Sequence, residues 1–114
     1  MMIDNAKTVM SELLQSCRNI MAATAGKSLP DAFDKEPFLL ENIYMNLIIL
    51  VESYIRIGDG KSDYPTINWE EIGSYTNVVK LPADKVERSL ICSIIKNKIP
   101  SLTAKLERIF EAGV

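Results

Sequence analysis

Histidine is absent from all 114 residues, so no side chain here titrates near neutral pH without help from its surroundings. The groups left for chemistry are few. Glu52 sits amid Leu50, Val51 and Tyr54, where burial would raise its pKa and suit it to proton transfer, although it could equally face solvent or pair across a subunit boundary. Lys80 and Lys85 could hold phosphate through charge alone, while exposed lysines more often serve solubility. Tyr75 offers a phenol oxygen able to accept a nucleotide, but it lies on an apolar stripe, where tyrosine tends to bury its ring. Cys17 and Cys92 also fall on apolar stripes and form no CxxC spacing, so both are expected to be buried and reduced, and no metal site is expected. Gly60-Lys61-Ser62 copies the end of a phosphate loop. The earlier glycine that motif requires is Ile55, and a helix rather than a strand leads in, so the match is a coincidence of turn residues.

These side chains must be carried by one compact domain covering residues 1–114, since the length suits a single core and the balance of 47% apolar and 25% charged residues is that of a folded chain. The longest apolar run, Leu47 to Val51, is far short of the roughly twenty residues needed to cross a bilayer. The opening Met1-Met2-Ile3-Asp4 has no basic segment of the kind that begins a secretory signal, which makes the cytoplasm the expected location. A net charge of -2 gives no global pull toward nucleic acid, and DNA is not an expected partner. Charge is unevenly placed, however. Up to Tyr75 there are six Lys and Arg against eleven Asp and Glu, and from Thr76 onward seven against four. The basic end reads first as a solvated helix face, with a partner or RNA surface as the alternative.

Apolar residues from Ile3 through Met10, Leu13, Leu14, Cys17 and Ile20 to Ala25 recur at steps of three and four, which predicts a long first helix. Gly26, Ser28 and Pro30 interrupt it, and 28–34 reads as a linker with room for one short turn. A second helix is predicted from about Pro37 to Ile57, closed by Gly58. Ile48 and Ile49 point away from its main stripe, so burial on more than one side is expected, either within one bundle or against a second subunit. Asn68 is a plausible N-cap for a third helix that starts at Trp69, runs inward through Ile72 and Tyr75, and stops near Pro82. The final segment from Ala83 to Ala112 is again a helical stripe, with Pro100 predicting either two helices or one kinked helix. No strand alternation competes with this pattern. The fold class is all-α, an antiparallel up-down bundle of four long helical elements.

Pro65-Thr66-Ile67-Asn68-Trp69-Glu70-Glu71-Ile72 resembles the core segment of the HepT-like proteins of the HEPN superfamily, which runs Pro, x, Ile, Pro, Trp, x, Glu, Ile before an Arg-Asn pair. Asn46 to Ser53 is similar to the family's Asn-Leu-x-Ile-Ile-Gly-Glu-Ala, with Val51 and Ser53 as departures, and Asn97 to Leu102 is similar to its Asn-Asp-Leu-Pro-x-Leu. The resemblance implies a homodimeric four-helix bundle, often a toxin paired with a minimal nucleotidyltransferase antitoxin. In active members it implies RNA cleavage by an Arg, a His and a Tyr, with the two motifs facing each other across the dimer; the Tyr can also receive adenylate from the partner.

At the corresponding positions this sequence holds Thr76, Leu81 and Ala83, and only Asn77 matches. Metal-free RNA cleavage needs a base, an acid and a cation facing developing phosphate charge, which histidine and arginine supply. Thr76 carries no charge, Leu81 moves no proton and Ala83 has no hydroxyl, so no catalytic residue is expected. The former motif cleft is placed at Thr76, Asn77, Lys80, Leu81 and Ala83, with Lys80 and Lys85 as phosphate contacts if any remain. The expectation is a non-catalytic HepT-like homodimer that binds a minimal nucleotidyltransferase and needs no cofactor. The alternatives are a ribonuclease toxin using non-standard residues, and a helical regulatory module unrelated to toxins.

Overall fold

The computed structural model describes residues 6–113, and every regular element among them is helical. The predicted contribution of Ile3 to the first helix lies outside the described residues. Helix α1 (Ala6–Thr24) buries Met10, Leu13, Leu14, Cys17 and Ile20 of the stripe that the three-and-four spacing predicts, and Val9 besides, whereas Met21 near its end and Ala25 just beyond it stay exposed. The linker contains a full short helix, α2 (Asp31–Lys35), which seats Ala32 and Phe33 in the core. Helix α3 (Leu39–Ile57) follows, and Gly58 ends it with a positive φ of 51°, a conformation an L side chain adopts only with strain.

A 3-10 turn (Gly58–Asp63) leads to α4 (Trp69–Ser74), where the Asn68 Oδ1 accepts from the Glu71 backbone N–H at 3.1 Å, as the N-cap expectation requires. The third helix is not continuous. It breaks at Tyr75 into α4 and the single turn α5 (Thr76–Val79), after which Pro82 and a 3-10 turn (Ala83–Lys85) carry the chain to α6 (Arg88–Ser93). A π turn (Ile94–Lys98) joins α6 to α7 (Ile99–Glu111), so Pro100 interrupts one helical path rather than separating two. Proline has no N–H to give the Lys96 carbonyl, and its ring crowds that carbonyl. A locally wider turn accommodates both.

Helix α1 lies between α3 and α7 and packs against both, while α4 and α5 pack on α3. Leu13, Ile43, Leu47, Leu50, Ile91, Ile99 and Leu106 are all fully buried in one continuous core. Polar links tie the same helices at the rim. Asn46 donates to the Asn42 carbonyl and accepts from Asn19, while Arg18 with Glu107 and Arg56 with Glu12 form ion pairs from α1 to its neighbours. Such exposed pairs add little stability beside the apolar burial. Gly73 is required by close packing: a Cβ there would lie 2.8 Å from the Tyr54 ring of α3.

Ser53, in the middle of α3, is fully buried and its hydroxyl has no hydrogen-bond partner. An unpaired buried hydroxyl costs stability without return, so Ser53→Ala is expected to raise the unfolding free energy by about 1 kcal/mol. Urea denaturation of the two proteins checks this, and a lower midpoint for the alanine variant would contradict it. No helix among the described residues is long and apolar enough to cross a membrane.

Candidate functional site

Trp69 organises the approach to the motif segment. Its indole Nε1 donates to the carbonyls of Lys61 and Tyr64, both at 3.1 Å, which fixes the Gly58–Asp63 turn and the following loop onto the start of α4. The tryptophan is half-buried against the core. Lys61 places its ammonium 4.3 Å from the Tyr54 ring centre and donates to the Gly58 carbonyl, so the lysine of the phosphate-loop look-alike is engaged locally.

The positions that the resemblance assigns to a former motif cleft lie on α5 and in the segment after it. Thr76 is half-buried, Asn77 is exposed, and the Lys80 amine reaches the Asn77 Oδ1 at 3.5 Å. Leu81 is 48% exposed, Ala83 is half-buried in the turn, and Lys85 is exposed beside it. The Tyr44 hydroxyl of α3 donates to the Val79 carbonyl at 2.8 Å and so ties this segment to α3. Asn77 and Lys80 are thus brought together on an open surface.

Two other sequence candidates are resolved by burial. Glu52 is exposed on α3 rather than enclosed among its apolar neighbours. Tyr75 is only 2% exposed, as its place on the apolar stripe predicts, and its enclosed hydroxyl interacts with the Glu71 carboxylate. Burial pushes that phenol well above its ordinary pKa, and the Glu71 carboxylate adds to the shift. Cys17 and Cys92 are free thiols in the interior. Burial pushes Cys17 up to about 12 against a contrary hydrogen bond from Thr103, and also raises Cys92, where Lys96 and Arg88 pull the other way. Among the described residues no group of three or more His, Cys, Asp or Glu could hold a metal ion.

A cleft that the sequence reading did not anticipate opens between α4 and the π turn with the start of α7. It measures about 160 Å³ and is walled by Glu71, Tyr75, Asn97, Lys98, Ser101 and Lys105. Lys98 and Glu71 face each other across it at 3.7 Å. Lys105 also lines a second cleft of about 320 Å³, formed with Tyr64, Pro65, Ile109 and Arg108. Lys98, Ser101, Lys105 and Arg108 recur at steps of three and four, so they share one face of the helix. That spacing was the available signal, and a solvated charge run has the same signature.

A family profile described as ribonuclease HepT-like matches residues 13–109. No curated protein and no solved structure matches the chain. The match spans the helical path from α1 to α7, including the tryptophan-anchored segment, and the chain belongs to the ribonuclease HepT-like family.

Proposed function

We propose that this chain is a HepT-like protein that has given up the family's ribonuclease chemistry and works by binding, as a homodimer in a toxin–antitoxin type module with a minimal nucleotidyltransferase. The antiparallel up-down order of its four helical elements and a cytoplasmic location belong to the same reading. The observation that carries it is an unpartnered apolar face beside the altered motif. Met45 is 64% and Ile55 65% exposed on α3, Ile49 lies between them, and Phe38 at the N-cap is 75% exposed. Leu81 adds a further exposed apolar side chain on the segment that packs on α3. Exposed apolar side chains gathered on one helix, here around the exposed Glu52, mark an interaction site, and a second copy would cover the Ile48 and Ile49 side of the helix.

Loss of catalysis is supported by the residues themselves. Thr76, Leu81 and Ala83 supply neither an acid, a base nor a cation. Of the substitutes that the ribonuclease alternative would need, Tyr75 is enclosed and the Lys80 amine rests against Asn77.

Two measurements test the proposal. In sedimentation, the chain is expected to run as a dimer, and Met45→Glu with Ile55→Glu is expected to run as a monomer at the same concentration with unchanged helix content. In cells expressing the chain, RNA is expected to remain intact, and a co-expressed minimal nucleotidyltransferase encoded next to it is expected to copurify. RNA loss that Lys80→Ala and Lys85→Ala abolish would replace this reading with the ribonuclease alternative.

A further inference from the structure

Along α3 and its N-cap, Phe38, Glu41, Met45, Ile48, Glu52 and Ile55 recur at alternating steps of three and four, the spacing of a helix–helix seam. Ile48 is half-buried and the others are exposed. Read in either direction, this seam runs apolar, Glu, apolar, apolar, Glu, apolar with the same steps, so it is self-complementary under a two-fold axis between Met45 and Ile48. Antiparallel pairing of two copies about that axis sets Phe38 against Ile55 and Met45 against Ile48. It also sets Glu41 against Glu52 on both sides of the axis.

We infer that two copies associate through this seam in the antiparallel register and take up protons as they do so, each facing Glu41 and Glu52 sharing one proton. The inference rests on the dimer reading and adds its register and its control by pH. Two carboxylates enclosed together in an apolar seam do not both stay ionised, whereas a carboxylic acid and a carboxylate are joined by a strong hydrogen bond. No cation of the same chain relieves the pair. Among the described residues neither Glu41 nor Glu52 has an ion pair or hydrogen bond. On α3 and the elements packed against it, Arg56 pairs with Glu12, Arg18 with Glu107, Asp34 with Arg88 and Glu71 with Lys98, while Lys61 lies over Tyr54 and Lys80 reaches Asn77. Lys7, Asp31, Lys35, Asp59, Asp63, Glu70, Asp84 and Lys85 are exposed on those elements and pair with neither glutamate.

Sedimentation equilibrium of the full chain at about pH 7.5 and about pH 5.5 measures the coupling. The dimer is expected to tighten roughly ten-fold at the lower pH, within the ceiling of about a hundred-fold per pH unit set by two protons taken up per dimer. Glu41→Gln and Glu52→Gln are each expected to dimerise at about pH 7.5 as tightly as the parent does at about pH 5.5, and to respond to pH by less than about two-fold, because an amide donates to the facing carboxylate without an added proton. Both side chains are exposed in the single chain, so helix content is expected to be unchanged. Glu111→Gln, exposed at the end of α7, is expected to keep the parent response, which separates the seam from the general loss of net charge on acidification. A dimer that ignores pH, that weakens on acidification, or that responds fully in Glu52→Gln overturns the inference and leaves the dimer reading standing. A response only halved by each single change means parallel pairing, glutamate against its own copy, and overturns the register. A chain that is monomeric at both pH values removes the dimer reading and the inference together.

Discussion

Trp69→Ala is expected to lower the unfolding free energy by about 3 kcal/mol, at the lower end of the range for truncating a large aromatic because the ring is half-buried rather than enclosed. Two terms make up the loss. The indole gives up its packing against the core, and the Lys61 and Tyr64 carbonyls lose the N–H that both accept at 3.1 Å. Trp69→Phe separates them: it keeps most of the packing and removes the donor, and is expected to cost about 1 kcal/mol. The damage should be local before it is global. Hydrogen exchange is expected to quicken first in the Gly58–Asp63 turn and in α4, while the interior of α1 and α7 stays protected. Equal acceleration in α1 and α7 would mean that the tryptophan supports the whole bundle and not this one connection.

The same residue shows how much of the structure could be read from the sequence. Helical periodicity located α1, α3 and the path from α6 to α7, because each long stripe had to face a common core, and Asn68 before Trp69 marked the start of α4 through its capping chemistry. The break at Tyr75 was not legible. A few residues around Ile72 and Tyr75 fit one helix as well as two short ones, and the choice is made by packing of α4 and α5 on α3. Pro100 announced an interruption, but its form as a π turn depends on the surrounding helix remaining in contact with α1. Thr76, Leu81 and Ala83 carry no acid, base or cation wherever they lie, so that expectation rests on the sequence alone. The cleft at Glu71, Tyr75 and Lys105 was hidden because it brings α7 to α4 across the elements between them, and no local spacing connects Lys105 to Glu71 and Tyr75. Glu52 illustrates the opposite case. Its apolar neighbours in sequence left enclosure and a solvent-facing position equally open, because successive residues on a helix point in different directions, and the carboxylate faces outward.

Alkaline pH is expected to destabilise this protein steeply, with Cys17 as the largest identifiable cause. The thiol is fully buried on α1, and burial pushes its pKa from 9.0 up to about 12. Between those values the unfolded chain releases a proton that the folded chain keeps, so the unfolded state gains and stability falls as pH rises. The contribution is intact below pH 9.0 and is lost through about pH 12. Integrated from pH 9 to roughly pH 11, this one thiol accounts for about 2 kcal/mol. Tyr75 acts in the same direction at the upper end of the window, because its phenol is also held above its ordinary 10.0 by burial. Urea denaturation under reducing conditions at several alkaline pH values measures the slope. Cys17→Ala is expected to cost about 1 kcal/mol near neutral pH through lost packing, yet to lose about 2 kcal/mol less than the parent between pH 9 and 11. The two stability curves should therefore converge and cross as pH rises. Parallel curves would show that the folded thiol ionises near its ordinary pKa, which requires water or a donor beyond Thr103 to reach Cys17 inside the contact between α1 and α7.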